Sequence, residues 1–547
     1  FVAATSQEAA DTFFPPVSEV MNRIGRERGW PPSGRGEFEA SRGPRGALFC
    51  GSPAEVTDKI LACHERFGNT RFLIQMAIGV WFGCGAKLDA DYYIAGGRLG
   101  VLPLALSIFA TWFGAETILG SAAAIAEGGL SGARAEPFGY AICLVLMAIL
   151  IAKPIREKGY VTIADFFRDR FGKSAELACA VISVIISVIW AGAQLLAIAA
   201  ILETAVGIPG LITLFVSAAA VITYCYFAGM MGDVATDNIQ GVFLMIGAFV
   251  LFYAVAGRFD GLEAMFGSID AEQLRLVAPG ESVFSRLDNW AIPILGSIVT
   301  QEVIARFLAA RSTGVARAAC YSAATLYLFI GLIPVTLGLV GAHMIVPGGE
   351  GDNFIPALAI ETLPPWLSIF FIGALFSAIL STIDSNLLAV SSLVSINILG
   401  RRHAHLDPQR QLRDSRRATV AAGVGALVVA LSGSDIYELL AMTSVFGQGG
   451  ILIATLIGLR SGFGGQRAAM ASILVCVVFN IATLMVLPMR EALGQGMNAS
   501  KAFAAVLAGD VAPIDGFFLY SILISIIAYV AVAMRESIPP PCIQSPA

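Results

Sequence analysis

The chain is short of charged residues: only 14% of its 547 residues are Asp, Glu, Lys or Arg, while 56% are hydrophobic and the mean hydropathy is +0.76. A soluble protein of this length carries roughly 25% charged residues, because its surface must face water. The shortage excludes a water-soluble multidomain enzyme and a disordered chain. The net charge of −5 also lacks the basic excess that binding to nucleic acid requires. A polytopic membrane protein remains.

Cysteine patterns that would indicate metal or redox chemistry are also missing. The chain has nine cysteines, but no CxxC motif and no Cys/His pair with metal-ligand spacing. Five of them lie inside apolar runs: Cys143, Cys179, Cys225, Cys320 and Cys476. We therefore interpret these cysteines as small buried apolar residues and expect no bound cofactor.

The few charges are unevenly distributed along the chain. Residues 1–71 carry 18 charged side chains, about 25% of that segment, whereas the other 476 residues carry 57, about 12%. The stretch 28–79, from RGWPP to RFLIQMAIG, resembles the C-terminal part of luciferase-like flavin monooxygenases. That family has a complete (β/α)8 barrel, so the resemblance implies a small soluble α/β remnant over 1–79 with no enzymatic activity.

Long apolar runs dominate the rest of the chain. A membrane-spanning helix needs roughly 20 apolar residues. We predict twelve such spans, at 101–126, 138–154, 176–206, 210–231, 236–257, 290–309, 318–345, 366–397, 416–432, 436–459, 467–488 and 516–534. A shorter apolar run at 72–86 is a candidate for a thirteenth, and charge does not decide whether it crosses.

Lysine and arginine in short loops predict the orientation, because such loops stay in the cytoplasm. Basic residues cluster in the loops at 153–173, 306–317 and 401–417, whereas the loops at 260–288 and 350–352 are balanced or acidic. These loops alternate consistently with the predicted spans. We therefore expect a multi-pass protein of the cell (inner) membrane with a short cytoplasmic tail at 536–547.

Two predicted spans contain polar residues where lipid would make them costly. The span 101–126 contains Gly114, Glu116, Thr117, Gly120 and Ser121. Small residues let a helix unwind, and unwound carbonyls bind cations, although small residues also serve close helix packing.

The span 366–397 contains Ser377, Ser381, Thr382, Asp384 and Ser385. Hydroxyl and carbonyl oxygens suit a monovalent ion such as sodium. Alternatively, such hydroxyls bond back to carbonyls in their own helix.

Six motifs in order carry a resemblance to the sodium:solute symporter family. They are DYYIAGGRLG (91–100), ATWFGAETILG (110–120), TIADFFRDRFG (162–172), FAGMMGDVATDNIQG (227–241), QEVIARFLAAR (301–311) and SAILSTIDSNLLAVSS (377–392). The resemblance covers about residues 80–535. It implies an all-α protein with a leucine-transporter-type core of two five-helix inverted repeats, here 101–257 and 290–459.

The resemblance also implies sodium ligands. They are the carbonyls of Ala110, Phe113 and Ala378 and the hydroxyls of Ser381 and Thr382. Asp237 matches an aspartate linked to sodium coupling or release, although an aspartate is also favoured at the start of a helix. Some members of the family bind a second sodium ion, for which Asp237, Asp384 and Ser385 are the candidates here.

Candidates for the solute site are Glu116, Thr117, Trp190, Gln194 and Pro293. Glu116 and Pro293 replace tryptophans of the proline-transporting branch, so the solute stays open among amino acids such as proline, carboxylates and sugars. We interpret Arg306 as a structural residue at a cytoplasmic helix end that bonds carbonyls. The segment 162–172 is predicted to form an amphipathic helix on the cytoplasmic face.

The expected function is secondary active transport, in which sodium influx drives uptake of a small organic solute by alternating access. No enzymatic step is expected. The expected partners are the solute, sodium and the lipid bilayer, without nucleic acid, and the oligomeric state stays open. The alternatives are a symporter-like sensor, which would need a long C-terminal signalling region, and a non-functional fusion with the monooxygenase fragment.

Overall fold

The computed structural model describes most of the chain between residues 3 and 536. The residues outside the description are 1–2, 4, 29–33, 44–49, 53, 56–88, 134, 207–208, 345, 347–348, 350, 401–406, 433–442, 444–447, 484–515 and 537–547. The predicted short span at 72–86 and nearly all of the predicted tail therefore lie outside the described residues.

The chain divides into two compact units, Phe1–Ala77 and Ile78–Ala547. The described part of the first unit contains helices α1 (Ser6–Arg28) and α2 (Arg35–Arg42). Phe38 and Cys50 pack with alanines of α1 in a small core. The α/β character expected for this unit stays a prediction.

The described part of the second unit is helical. Its helices are α3 (Asp89–Ile94), α4 (Val101–Trp112), α5 (Ser121–Gly128), α6 (Phe138–Leu150), α7 (Ala152–Glu157), α8 (Ile163–Phe171), α9 (Lys173–Val206), α10 (Gly210–Arg258), α11 (Leu262–Gly267), α12 (Val283–Ala291), α13 (Gln301–Ala309), α14 (Thr313–Gly341), α15 (Phe354–Thr362), α16 (Pro365–Ser392), α17 (Pro408–Ser432), α18 (Gln448–Arg460), α19 (Gln466–Ile481) and α20 (Phe517–Ala533). Three π-helical turns accompany them, at Glu116–Gly120, Ile292–Gly296 and Leu393–Ile398.

Several of these helices can cross a membrane. Among the described residues, five are long and apolar enough, and a sixth span results if the bent pair Val101–Trp112 and Glu116–Ser131 is one crossing. Large apolar side chains on their outer faces are exposed, such as Val216, Phe329 and Ile369. Such surfaces suit lipid rather than water. The prediction of several apolar spans is confirmed, while the number twelve stays a prediction.

Two predicted spans, 210–231 and 236–257, form the single helical run α10, which changes direction at Gly229. That glycine has φ 58° and ψ −177°, a conformation that side chains with a Cβ rarely adopt. A Cβ at this position would also lie 2.7 Å from the ring of Tyr92. Glycine is therefore required both by the backbone and by the close packing of α3.

The helix α4 ends in the middle of a predicted span. Phe113 has φ −77° and ψ 62°, outside the helical region, and the chain continues through the π-helical turn Glu116–Gly120 at an angle of 63° to α4. Gly114 follows directly, where the absence of a side chain permits the unwinding that the small residues predicted. The Gly114 amide donates to the Trp112 carbonyl and the Ala115 amide to Gln194. The carbonyls of Ala110 and Thr111 therefore lose the hydrogen bonds that these amides would give them in a continuous helix.

A buried polar network joins α8 to the π-helical turn Leu393–Ile398, which follows α16. The Thr162 hydroxyl caps α8 by accepting from the Asp165 amide, and it donates to Asn397 Oδ1 at 2.7 Å. The Asn397 amide group donates to Asp165 at 3.0 Å and to Glu176 at 2.9 Å. The predicted helix at 162–172 is thus present, and its polar residues bind other helices instead of only facing water.

Candidate functional site

The break in α4 faces the middle of α16. A Cβ on Gly114 would lie 2.9 Å from Thr382 Oγ1 and 3.1 Å from Gln194 Oε1. Thr382 Oγ1 also donates to the Ala378 carbonyl at 3.4 Å, as the back-bonding alternative expects. All five predicted sodium ligands are buried: Ala110, Phe113, Ala378, Ser381 and Thr382. The structure therefore brings the two predicted sodium-binding segments into contact.

Gln194 of α9 supports the break directly. Its Oε1 accepts a hydrogen bond from the Ala115 amide at 3.2 Å. An amide at a helix break has lost its intrahelical partner, so this side chain replaces a missing backbone acceptor. Its Nε2 is buried and has no hydrogen-bond partner among the described residues.

Arg306 occupies the centre of a second polar group, which we call the arginine cluster. Its guanidinium is completely buried. One nitrogen, Nη2, donates to Asp233 Oδ2 and to Asp237 Oδ2, each at 2.9 Å, and to the Ser385 hydroxyl at 2.6 Å. Nε donates to the Ser107 hydroxyl at 2.8 Å. Arg306 lies in the last turn of α13 and bonds the Glu302 carbonyl of its own helix at 2.9 Å. The expectation that it mainly bonds carbonyls of neighbouring helices is wrong, because its other partners are buried carboxylates and hydroxyls.

Asp237 links this cluster to the predicted sodium site. Its carboxylate accepts hydrogen bonds from Ser107 of α4 and from Ser381 of α16. Because Asp237 lies in the interior of α10, eight residues beyond the turn at Gly229, the alternative of a helix-start aspartate does not apply. One side chain thus connects three helices at the point where two of them supply the predicted sodium ligands.

The arginine cluster holds more acid than base. Carboxylate oxygens of Asp233, Asp237 and Asp384 all lie within 4.8 Å of one another, and all three residues are buried. Asp384 Oδ1 accepts from the Ser385 amide at 2.8 Å, whereas its Oδ2 has no partner among the described residues. With one guanidinium against three carboxylates, the cluster is a suitable place for an additional cation.

Sequence reasoning missed Asp233 and Ser107. The spacing of Asp233 and Asp237 places both carboxylates on one face of α10, which is a detectable signal in an apolar helix. Ser107 carried no such signal, because a lone serine in an apolar helix usually bonds its own backbone.

A different group of buried acids lies beyond the break in α4, and we call it the hydroxyl cluster. The Tyr140 hydroxyl donates to Glu116 at 3.0 Å. Glu136 accepts from Thr117 at 3.2 Å and from Tyr327 at 3.4 Å. Among the described residues, no arginine or lysine is paired with Glu136.

A polar cavity lies beside the end of α4. Trp112, Trp190, Glu302, Asn386 and Gln448 are among its lining residues. The Trp112 indole donates to Glu302 Oε1 at 3.1 Å.

Of the five predicted solute residues, Trp190 lines this cavity. Glu116 and Thr117 belong to the hydroxyl cluster. Gln194 supports the helix break. Pro293 lies in the π-helical turn before α13 and packs close to Gly139 of α6. Glu302 was not predicted. The sequence did contain a signal for it, because Glu302 lies inside a predicted membrane span, where a carboxyl group is costly and is therefore a candidate functional residue.

Comparison with known proteins agrees with this architecture. The model of the sodium:solute symporter family matches residues 92–446. The chain is 26% identical to the high-affinity choline transporter 1 of Drosophila melanogaster over 394 residues, which are 68% of this chain and 63% of that protein. It is 27% identical to the human high affinity choline transporter 1 over 398 residues, 68% of each. It is 23% identical to the sodium/pantothenate symporter of Escherichia coli over 401 residues, 69% of this chain and 80% of that one.

Solved structures with a similar fold are also transporters. A Na⁺-coupled sialic acid symporter in a substrate-bound outward-open state superposes with a TM-score of 0.68 at 17% identity, covering 85% of this chain and 96% of that one. Mhp1, a nucleobase-cation-symport-1 family transporter, gives 0.50 at 15% identity, with coverage of 81% and 94%.

The matched family region starts at residue 92, and these matches give no support to the monooxygenase resemblance of residues 28–79. The family match covers well over half of the chain and contains the α4 break, the arginine cluster and most of the cavity lining. The chain belongs to the sodium:solute symporter family.

Proposed function

We propose that this sodium-coupled solute symporter binds its driving ion between the break in α4 and the middle of α16. The ligands are the carbonyls of Ala110, Phe113 and Ala378 and the hydroxyls of Ser381 and Thr382. The observation that carries the proposal is the contact of the unwound segment at Gly114 with Thr382, because free carbonyls and a hydroxyl then share one buried space.

A second cation binds in the arginine cluster. Asp237, Asp384 and Ser385 supply its ligands, together with Asp233. The unpartnered Asp384 Oδ2 and the excess of carboxylate over guanidinium support this site. Since Ser381 is hydrogen-bonded to Asp237, occupation of one cation site affects the other through this shared contact.

The two inverted repeats are 101–257 and 290–459, and each begins with an interrupted helix. In the first repeat α4 breaks at Phe113. In the second, the π-helical turn Ile292–Gly296 separates α12 from α13. Interrupted first helices in both halves are typical of folds that bind ions and solute near the bilayer midplane.

Transport then follows from differential affinity. Sodium holds α4 against α16 and so stabilises the state in which the cavity beside Trp190 accepts solute from outside. A ligand shifts a conformational equilibrium only by the difference in its affinity for the two states. Uptake is therefore driven inward by the sodium gradient, with the C-terminus in the cytoplasm and residues 1–79 taking no part.

Reconstituted vesicles test this function. The full chain is inserted into liposomes, and uptake of radiolabelled solutes is measured with an inward sodium gradient, with equal sodium on both sides, and with potassium in place of sodium. Accumulation only under the sodium gradient is expected. Sodium-dependent solute binding without accumulation would instead identify a sensor.

A further inference from the structure

We propose that the solute is a small organic cation and that Glu302 is the residue that selects it. The proposal rests on the proposed function, because it names the solute class of that transport cycle. Glu302 is 7% exposed and lines the polar cavity together with two tryptophans. Glu302 is not one of the residues that we assign to the two cation sites.

The first argument for a cationic solute is the charge of the cavity lining. Among the described lining residues, Glu302 is the one ionisable side chain, and none is a lysine or arginine. Arg306, one turn further along α13, directs its guanidinium to the arginine cluster and reaches only the Glu302 backbone carbonyl, at 2.9 Å. A carboxylate buried without a basic partner is costly, so a bound cation gains more here than a neutral or anionic solute.

The second argument for a cationic solute is the pair of tryptophan side chains in the cavity lining. Trp112 and Trp190 both line the cavity, and Trp112 is held by its hydrogen bond to Glu302. Tryptophan faces attract ammonium groups through their ring electrons, and the attraction increases when water is excluded. Two indoles beside one carboxylate favour an alkylated ammonium group over a compact inorganic ion, which prefers oxygen ligands.

Two buried polar atoms without hydrogen-bond partners among the described residues indicate which second functional group the solute carries. Trp190 Nε1, a donor, and Gln448 Oε1, an acceptor, are buried without hydrogen-bond partners in the described part of the chain. A hydroxyl group both accepts and donates, so it satisfies both atoms. The polar and aromatic groups of the cavity therefore suit a small ammonium compound with a hydroxyl group. A carboxylate solute lacks a basic partner here, and a sugar leaves the charge of Glu302 uncompensated.

The experiment compares solutes and variants in vesicles that contain the full chain. The probes are radiolabelled choline, its zwitterionic relative glycine betaine, proline, glucose and pantothenate. Sodium-dependent uptake of choline, with at least about tenfold lower uptake of the other four, is expected. Equal or faster sodium-dependent uptake of a neutral, zwitterionic or anionic probe would overturn the cation proposal and leave sodium coupling intact.

The variant E302Q separates charge from structure, because glutamine still accepts the hydrogen bond from Trp112. It should raise the KM for choline at least about 30-fold while the half-saturating sodium concentration stays the same. E361Q removes an exposed charge at the end of α15, outside the cavity, and serves as the matched control. An unchanged KM in E302Q contradicts the role of Glu302.

The specificity panel on the parent protein decides the solute class even if E302Q does not reach the membrane. Choline uptake that is independent of sodium would support the cation site and refute the proposed coupling. Absence of uptake of every probe, with or without sodium, would refute both.

Discussion

The arginine cluster and the hydroxyl cluster both contain buried carboxyl groups, but different partners stabilise them. Both bury carboxylates next to α4, one before its break and one after it. In the first, Arg306 forms ion pairs with Asp233 and Asp237 at 2.9 Å. In the second, Glu116 and Glu136 receive hydrogen bonds from tyrosine and threonine hydroxyls, and no described basic residue pairs with Glu136.

The difference indicates which acids need their charge. A buried ion pair is expensive to assemble, and removing one partner leaves the other unpaired at a cost of about 3–5 kcal/mol. A carboxyl group that only accepts hydrogen bonds from hydroxyls can be replaced by an amide with the same shape and the same acceptor. Charge-removing substitutions should therefore be harmful in the arginine cluster and tolerated in the hydroxyl cluster.

The largest effect is expected for R306Q. The substitution leaves three buried carboxylates without a positive partner, which destabilises the folded protein by about 3–5 kcal/mol. Thermal unfolding of the detergent-solubilised protein should show a lower Tm, and uptake should be lost. R306K retains the charge but not the forked donors, so it should recover the folded protein and only part of the transport. A Tm of R306Q equal to that of the parent would contradict this view of the cluster.

D237N is expected to weaken sodium coupling more than folding. Asp237 receives hydrogen bonds from Ser107, Ser381 and Arg306, so the change removes a charge that orients the sodium-binding helix α16. Loss of such a supporting group typically costs 10–100-fold in metal affinity, and an effect near 100-fold on half-saturating sodium is expected. Uptake measured at increasing sodium concentrations gives the half-saturating value. A smaller increase in D237N than in S381A would contradict the role of Asp237 in sodium coupling.

S381A and T382A should each raise the half-saturating sodium concentration about tenfold, because each removes one hydroxyl ligand. The matched control is S392A. Ser392 is a buried serine of the same helix whose hydroxyl donates to the Ala389 carbonyl, away from the site. If sodium dependence in S381A and T382A equals that of S392A, the proposed main site is elsewhere.

The smallest effect is expected for E136Q. Glutamine accepts the hydrogen bonds of Thr117 and Tyr327 and removes a buried charge, so the free energy of unfolding should change by less than about 1 kcal/mol. Uptake and its sodium dependence should stay close to those of the parent. A loss comparable to that of D237N would show that the hydroxyl cluster takes part in ion coupling.

The proposed sodium ligands lie in two short stretches of sequence, and the structure brings those two stretches into contact. Ala378, Ser381 and Thr382 lie within five residues of one helix, and Ala110 and Phe113 come just before Gly114 at the break. Both segments are local, so the resemblance to the family could assign a ligand to each position. The outcome for the five solute candidates was different, since only Trp190 lines the cavity.

The residues that were missed depend on contacts between distant parts of the chain. Arg306 meets Asp233 although 73 positions separate them, and Trp112 meets Glu302 across 190 positions. A helix-end arginine and a buried one have the same local sequence. Their difference lies in the direction in which the side chain points once the helices have packed.

Composition and local pattern alone determined that the chain is a membrane protein, where most of its helices run and where α4 can unwind. These properties follow from the solvation of apolar residues and from backbone freedom at glycine, which act over a few residues. Only the tertiary structure decided which acids are paired with Arg306, which are bonded to hydroxyls and which one faces the cavity. Electrostatic interactions in a medium of low dielectric depend on distances between helices, and those distances are absent from the order of residues.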